Sequence, residues 1–124
     1  MGKQQELKDR FYDFALAIVK LVRKLPREIA AVEVGRQVLK SGTSIAANYE
    51  ETTGAFSRSD FVYKLSISFR EAKETNLWLR LLRDSGLVYG SPGTEPLIKE
   101  SQEIANILAK SLKTARSNLS KLDE

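Results

Sequence analysis

The sequence predicts an all-α protein, namely an antiparallel four-helix bundle with up-down-up-down topology. Apolar residues recur at steps of three and four along four long segments, which is the period of an amphipathic helix. No useful length of chain alternates apolar and polar residues with the period of two that is typical of a strand. The 124 residues suit one domain, residues 1–124, and the three prolines and seven glycines favour few, long elements.

Helix one is predicted over residues 5–25. Its apolar stripe consists of Leu7, Phe11, Phe14, Ile18, Leu21 or Val22, and Leu25. Pro26 should end the helix, because proline disfavours helical geometry at the preceding residue and has no backbone N–H to donate.

Helix two is predicted over residues 30–54, and the face that should pack inward is half polar. The polar side chains on this face are Gln37, Ser41, Ser44 and Asn48. A buried polar group without a partner costs about 1–3 kcal/mol. We therefore expect interhelical hydrogen bonds that fix the register of the bundle, as a core Asn does in coiled coils. A polar pocket or a groove for a partner is the alternative.

Helix three is predicted over residues 58–84, with Ser57 as its N-cap and Asp60 in the position of a capping box. Phe56 and Phe61 have the spacing of a hydrophobic staple. A turn near Phe56 would set small residues of helices two and three opposite one another and allow close packing. The expected pairs are Ser44 with Ser68, Ser41 with Ala72, and Gln37 with Thr75.

Helix four is predicted over residues 95–121, and Gly86 should end helix three in a left-handed C-cap. The apolar stripe of helix four begins at Leu97 and continues through Ile104 and Leu108. Several large apolar residues lie outside the main stripes of the bundle: Val32, Leu39, Tyr49, Trp78 and Leu81. Such a surplus more often forms a subunit interface than an exposed patch, so we expect assembly.

The formal net charge is +4, and its excess lies in residues 1–40, which hold nine Lys or Arg against five acids. Residues 41–90 and 91–124 each balance. The basic residues on or just after helix one, outside its apolar stripe, are the candidates for binding nucleic acid: Arg10, Lys20, Arg23, Lys24 and Arg27. Ordinary solvated surface is the alternative interpretation.

Four carboxylates near the middle of helices two and three, Glu50, Glu51, Glu71 and Glu74, invite comparison with di-metal helix bundles. Those sites use Glu-x-x-His motifs, and this chain has no histidine. We therefore expect no metal and no cofactor. Glu71 and Glu74 are interpreted as structural polar residues that pair with Lys or Arg of neighbouring helices or subunits, alongside Gln37, Ser41, Ser44 and Asn48.

Catalysis is not expected either. Without His or Cys, the remaining general bases are carboxylates, Lys and Tyr, and the helix-face serines have no evident activating base at helical spacing. The absence of cysteine fits a reducing cytoplasm. No apolar run approaches the roughly 20 residues that a membrane span needs. We expect a cytoplasmic protein that does not bind a membrane.

Five segments together resemble a known family: RQVLKSGTSIAANYEE at 36–51, SDFVYKL at 59–65, EAKETNLWLRLL at 71–82, RFYDFAL at 10–16 and LVRKLP at 21–26. They resemble the four-helix-bundle proteins encoded in intervening sequences of bacterial large-subunit rRNA genes. The resemblance covers essentially the whole chain and weakens only after Leu87.

The resemblance implies an all-α bundle that assembles into a ring-shaped homopentamer. It also implies a relation to the accessory variability protein of diversity-generating retroelements, a basic pentameric bundle that binds nucleic acid and partners a reverse transcriptase. The family brings no catalytic residues, and the net charge of this chain is modest for a nucleic-acid binder.

Residues and resemblance together predict a non-enzymatic homopentameric binding or assembly module whose partner is RNA or an RNA–protein complex. Five copies would carry a charge of about +20, and a ring would repeat the N-terminal basic excess, so that weak phosphate contacts act together. The alternatives are an accessory subunit of a retroelement reverse transcriptase and a purely protein-binding scaffold.

Overall fold

The computed structural model describes residues 2–88 and 93–122. Within them the chain forms four α-helices, α1 (Lys3–Val22), α2 (Ile29–Glu51), α3 (Arg58–Ser85) and α4 (Glu95–Leu122). A 3-10 turn over Thr52–Gly54 follows α2, and these residues contain no strand. Each helix packs against the next in antiparallel order. The predicted all-α four-helix bundle is confirmed.

The first helix ends earlier than its apolar period suggests, at Val22 rather than Leu25. The amides of Lys24 and Leu25 donate to carbonyl oxygens only three residues back, at 3.0 and 3.2 Å. This tightened turn still satisfies carbonyls at the helix end while the chain leaves helical geometry before Pro26. The α2 helix likewise ends at Glu51 and passes into the 3-10 turn.

Local signals set both ends of α3. The Asp60 amide donates to the Ser57 side chain at 3.0 Å, and the Asp60 carboxylate in turn accepts from the Phe56 amide at 3.0 Å. Gly86 ends the helix with a φ of 74°, the left-handed conformation expected of a C-cap. The predicted hydrophobic staple is wrong, because Phe56 is 98% exposed and cannot pack on Phe61.

All four helices contribute to one hydrophobic core. Its fully buried large residues include Phe11, Ile18, Val38, Ile45, Leu65, Leu79, Leu82, Ile104 and Leu108. Tyr49, expected among the surface surplus, belongs to this core, because its ring meets that of Phe11 edge to face at 4.9 Å.

Gly42 of α2 allows α1 to approach closely. A Cβ atom on Gly42 would lie 2.9 Å from Ile18 Cγ1 and 3.3 Å from Ile18 Cβ, close to the backbone of α1. A Cβ atom on Gly35 would meet only the end of the flexible Leu25 side chain, at 2.9 Å, which can move aside. The α1/α2 seam therefore depends on glycine at position 42.

Candidate nucleic-acid interface

Four of the five predicted cations lie together at the end of α1 and in the connection to α2. Lys20, Arg23, Lys24 and Arg27 are all exposed, and no carboxylate occurs between residues 14 and 27. None of the four forms an ion pair with a described residue. The negative end of the α1 dipole favours these cations at the helix terminus. We call them the connector cluster.

The fifth predicted cation, Arg10, is not a free surface residue. Its Nε and Nη2 atoms donate to the two carboxylate oxygens of Glu100 on α4, both at 2.8 Å. The hydrogen bond to Glu100 is the main cause that raises the pKa of Arg10. Helical spacing put Arg10 off the apolar stripe of α1, but the neighbouring α4 helix covers that side. Because Glu100 already accepts two hydrogen bonds from the guanidinium, Arg10 is not a candidate for binding nucleic acid, contrary to the prediction from the sequence.

The small polar residues of α2 and α3 meet inside the bundle, but their partners differ from the expected ones. The partner of Thr75 lies one helical turn further along α2 than expected, and the partner of Ser68 lies one residue further. Thr75 Oγ1 donates to Ser41 Oγ at 2.8 Å, rather than facing Gln37. Ser68 Oγ donates to the Ile45 carbonyl oxygen at 2.9 Å. These bonds cross from one helix to the other and tie the register of α2 to that of α3.

Other members of the expected polar set bond within their own helix. Ser44 donates to the Lys40 carbonyl at 2.6 Å, and Asn48 donates to the Ser44 carbonyl at 2.8 Å. Short polar side chains reach the carbonyl one turn back, which makes an interhelical partner unnecessary. Gln37, which is half-buried, accepts from Ser41 through its backbone carbonyl oxygen at 2.9 Å.

Glu71 and Glu74 differ in their surroundings, although only one helical turn separates them. Glu71 is half-buried, and burial is the main cause that raises its pKa, opposed by the nearby polar side chain of Ser44 and aided by the charge of Glu74. Glu74 is exposed and accepts a hydrogen bond from Trp78 Nε1 at 3.2 Å. Neither forms an ion pair with a described Lys or Arg.

The other two carboxylates of the expected group have their own partners. Glu50 lies 3.7 Å from Lys8 Nζ on α1, and Glu51 lies 2.9 Å from Lys64 Nζ on α3. Among the described residues, no group of three side chains of the metal-binding types converges on one point.

A second basic surface lies in the seam between α3 and α4, where the sequence pattern gave no indication of one. The crevice has a volume of about 360 Å³ and is lined by Phe69, Lys73, Asn76, Arg80, Gln102, Ala105, Asn106 and Ala109. Lys73 Nζ lies 5.6 Å from the centre of the Phe69 ring, and Arg80 Nε donates to Asn76 Oδ1 at 2.9 Å. We call this crevice the α3/α4 groove.

Helical spacing extends the basic character of the α3/α4 groove along α4. Lys113 and Arg116 follow Ala109 at steps of four and seven, and no carboxylate occupies that face from Gln102 onward. Counting charge by segment conceals this surface, because it includes Glu100 and Glu103, which lie on other faces of α4, and Glu95, which lies on this face but pairs with Arg83. Counting charge by helix face would have found it.

Comparison with known proteins adds to this geometry. The family model described as 23S rRNA-intervening sequence protein matches residues 3–110. The chain belongs to this family. The match to this intervening-sequence family includes α1, α2 and α3 entire and the first half of α4. Among curated proteins, none matches the chain.

A solved structure of similar fold extends the comparison. It is a protein with unknown function from the S23 ribosomal protein family of Bacteroides thetaiotaomicron VPI-5482. The two sequences are 37% identical, the TM-score is 0.79, and the match covers 89% of this chain and 97% of the other. In the described part of the chain, no helix is both long and apolar enough to cross a membrane.

Proposed function

We propose that this intervening-sequence protein is a non-catalytic homopentameric module that binds structured RNA, alone or within an RNA–protein complex, through its basic surface. The connector cluster is the observation that carries the proposal. It places four exposed cations between residues 20 and 27, and no described carboxylate neutralises them through an ion pair.

Unpaired cations on a rigid helix end suit the phosphates of a folded RNA. Neutralising phosphates releases counterions, which gives affinity that falls with salt. Phosphate contacts orient the nucleic acid but carry no sequence information. Of the three aromatic residues of α1, Phe11 and Phe14 are buried and only Tyr12, at 64%, is exposed, so base stacking should contribute little. The bound RNA should therefore be recognised by shape and charge.

The α3/α4 groove supplies a second set of contacts for the same ligand. Lys73 and Arg80 offer positive charge, while Gln102 and Asn106 offer amide groups that can bond to sugar or phosphate oxygens. Asn76 holds the Arg80 guanidinium in place through the bond at 2.9 Å. A fixed guanidinium loses less conformational entropy when it binds a phosphate.

Assembly into a homopentamer is supported by apolar side chains left exposed beside the α1/α2 seam. Tyr12 and Leu16 on α1 are 64% and 41% exposed, and Val32 and Leu39 on α2 are 47% and 37% exposed. Leu39 lies between Gly35 and Gly42 in the sequence, and helical spacing puts it beside the face of α2 that meets α1. A ring would bury this strip and repeat the connector cluster, so that several weak contacts act together.

Assembly is tested by light scattering at micromolar concentration, where we expect a mass of about five times the 13.9 kDa of one chain. Leu39→Lys should reduce the mass, because it places a charge in the apolar strip. Phe56→Lys is the matched control, since Phe56 is already 98% exposed. A monomer peak from the unmodified protein would contradict the proposed assembly.

RNA binding is tested by titrating a labelled structured RNA and reading its fluorescence anisotropy. The triple charge reversal Arg23→Glu, Lys24→Glu and Arg27→Glu should abolish most of the affinity at low salt. The control reverses three other exposed cations, Arg36, Arg70 and Lys99, so that the net charge changes equally. No binding by the unmodified protein, or equal losses in both variants, would overturn the proposal and favour a protein-binding scaffold.

A further inference from the structure

The seam between α1 and α4 is open where the N-terminal part of α1 lies beside the C-terminal half of α4. A groove of about 880 Å³ lies there, between α1, α4 and the start of α3. Its apolar lining includes Leu7, Tyr49, Phe61, Val62, Ile107 and Leu119. We call it the α1/α4 groove. Its volume falls in the range of about 300–1,000 Å³ that is usual for small-molecule sites.

Small side chains on α4 keep this groove open. Ser111 and Ala115 line it at positions where larger residues would reach toward α1. The Arg10–Glu100 pair crosses the seam and closes one end. On the far side of this pair lies a separate cavity of about 500 Å³ with Asp9 and Asp13 in its lining. The ion pair thus divides a cationic groove from an acidic one.

The rim of the α1/α4 groove is basic. Lys3, Arg58 and Lys110 come from α1, α3 and α4, and none of them forms an ion pair with a described residue. Besides Arg10, which Glu100 neutralises, the only other charged residue among the described lining is Glu6. An anionic group at the rim would therefore meet net positive charge from three helices.

Tyr49 adds a polar atom to an otherwise apolar floor. Its hydroxyl hydrogen-bonds with no described group, and no fully enclosed polar atom in the described residues lacks a partner. The hydroxyl therefore meets open space where Tyr49 lines the groove. Burial raises the pKa of Tyr49, so the hydroxyl stays protonated at neutral pH and can donate a hydrogen bond.

We propose that the α1/α4 groove binds a single-chain amphiphilic anion, namely a free acyl carboxylate. The acyl chain lies on the apolar floor, and the carboxylate meets the cations of the rim. The groove has a closed end and a limited volume, which suits one chain rather than the surface of a bilayer. A second copy docking by the same face about a two-fold axis would set Lys3, Arg58 and Lys110 against the same residues of its partner, an unfavourable contact of like charges. The proposed ring uses the apolar strip beside the α1/α2 seam instead.

The experiment is isothermal titration of the full-length protein with dodecanoate, below the concentration at which it forms micelles. We expect saturable binding, with dodecanol and dodecyltrimethylammonium at least about tenfold weaker because they lack the negative charge. Vesicles of anionic phospholipid are the second arm, and we expect no binding to them.

Three variants locate the ligand. Ser111→Phe should abolish dodecanoate binding by filling the groove. Arg58→Glu with Lys110→Glu should weaken binding at least about tenfold by reversing the rim. Lys99→Glu with Arg70→Glu is the matched control, because both residues are exposed and lie outside the groove, and it should bind within about twofold of the unmodified protein. Circular dichroism of each variant reports whether the fold is retained.

Several results would overturn the proposal. If dodecanol binds as tightly as dodecanoate, the cationic rim does not recognise the carboxylate. If dodecanoate still binds to a folded Ser111→Phe variant, its site lies outside the α1/α4 groove. Binding to vesicles but not to free dodecanoate would assign the surface to a membrane. A changed oligomeric mass in Ser111→Phe, with no dodecanoate binding by the unmodified protein, would assign the groove to contacts between copies of the chain.

Discussion

Helices α2 and α3 meet through buried small side chains, whereas the outer part of the α1/α4 seam is bridged by the Arg10–Glu100 ion pair. In the first seam Ser41, Ser68 and Thr75 are at most 2% exposed, and their hydroxyls all have partners. In the second seam the two charged side chains remain 38% and 27% exposed, with cavities on both sides. One bundle therefore contains a closed seam that stabilises the fold and an open seam that a ligand can enter.

The largest expected effect is on the free energy of unfolding, when an isoleucine of the closed seam is replaced and compared with an isoleucine of the open seam. Ile45→Ala should lower the free energy of unfolding by about 2–5 kcal/mol, because it leaves a cavity where no atom is exposed. Ile107→Ala should lower it by less than about 1.5 kcal/mol, since Ile107 is half-buried and lines an open groove. Urea denaturation measures both values. Equal losses would show that the α1/α4 seam is as closed as the α2/α3 seam.

A smaller effect is expected from the buried hydroxyl of Thr75. Thr75→Val keeps the shape of the side chain but removes the bonds to Ser41 and the Glu71 carbonyl, which should cost about 1 kcal/mol. Thr114→Val is the matched change in the open seam, where water already reaches the side chain, and it should cost less than about 0.5 kcal/mol. Unchanged stability of Thr75→Val would mean that the interhelical bond contributes nothing net.

The Arg10–Glu100 pair should contribute still less, because both side chains are partly exposed to solvent. A double-mutant cycle of Arg10→Met and Glu100→Gln should give a coupling energy of about 0.5–1 kcal/mol. The coupling should decrease as salt is added. A coupling above about 3 kcal/mol would place the pair in the range of fully buried ion pairs and contradict an open seam.

The smallest effect is a pH dependence from Glu71 at the edge of the closed seam. Its pKa is raised above the ordinary value of 4.5, so between these two values the folded state binds more protons than the unfolded state. Stability should therefore fall as pH rises through this window and then remain level. Glu71→Gln should remove this fall in stability. Glu74→Gln removes a neighbouring negative charge that raises the pKa of Glu71, so it should narrow the pH window over which stability falls. Thermal unfolding from pH 3 to 8 measures the trend, which an unchanged profile in Glu71→Gln would contradict.

The helices and their ends are predictable because their causes lie close together in the sequence. The apolar period, the Ser57 N-cap and the Gly86 C-cap each depend on a few neighbouring residues. The Phe56–Phe61 staple fails on the same local basis, since the spacing allows it but the chain leaving the 3-10 turn points Phe56 into solvent.

The candidate sites are less predictable because they depend on which helix faces which. The exposure of the connector cluster follows from its position outside the apolar stripe of α1. The ion pair between Arg10 and Glu100 joins residues that are 90 positions apart, and no local sequence pattern indicates it. The α1/α4 and α3/α4 grooves depend on side-chain lengths across a seam, which a helical period does not report. Tyr49 is buried for the same reason, through Phe11 on another helix.

The salt dependence of RNA binding tests the central functional claim most directly. The association constant of the labelled structured RNA is measured at several salt concentrations, for the unmodified protein and for the triple reversal at Arg23, Lys24 and Arg27. If the connector cluster binds phosphates, the logarithm of the constant should fall steeply with the logarithm of salt concentration. In the triple reversal the slope should become shallower by about one for each phosphate that is no longer neutralised. A slope that is near zero, or that the triple reversal leaves unchanged, would contradict RNA binding through the connector cluster.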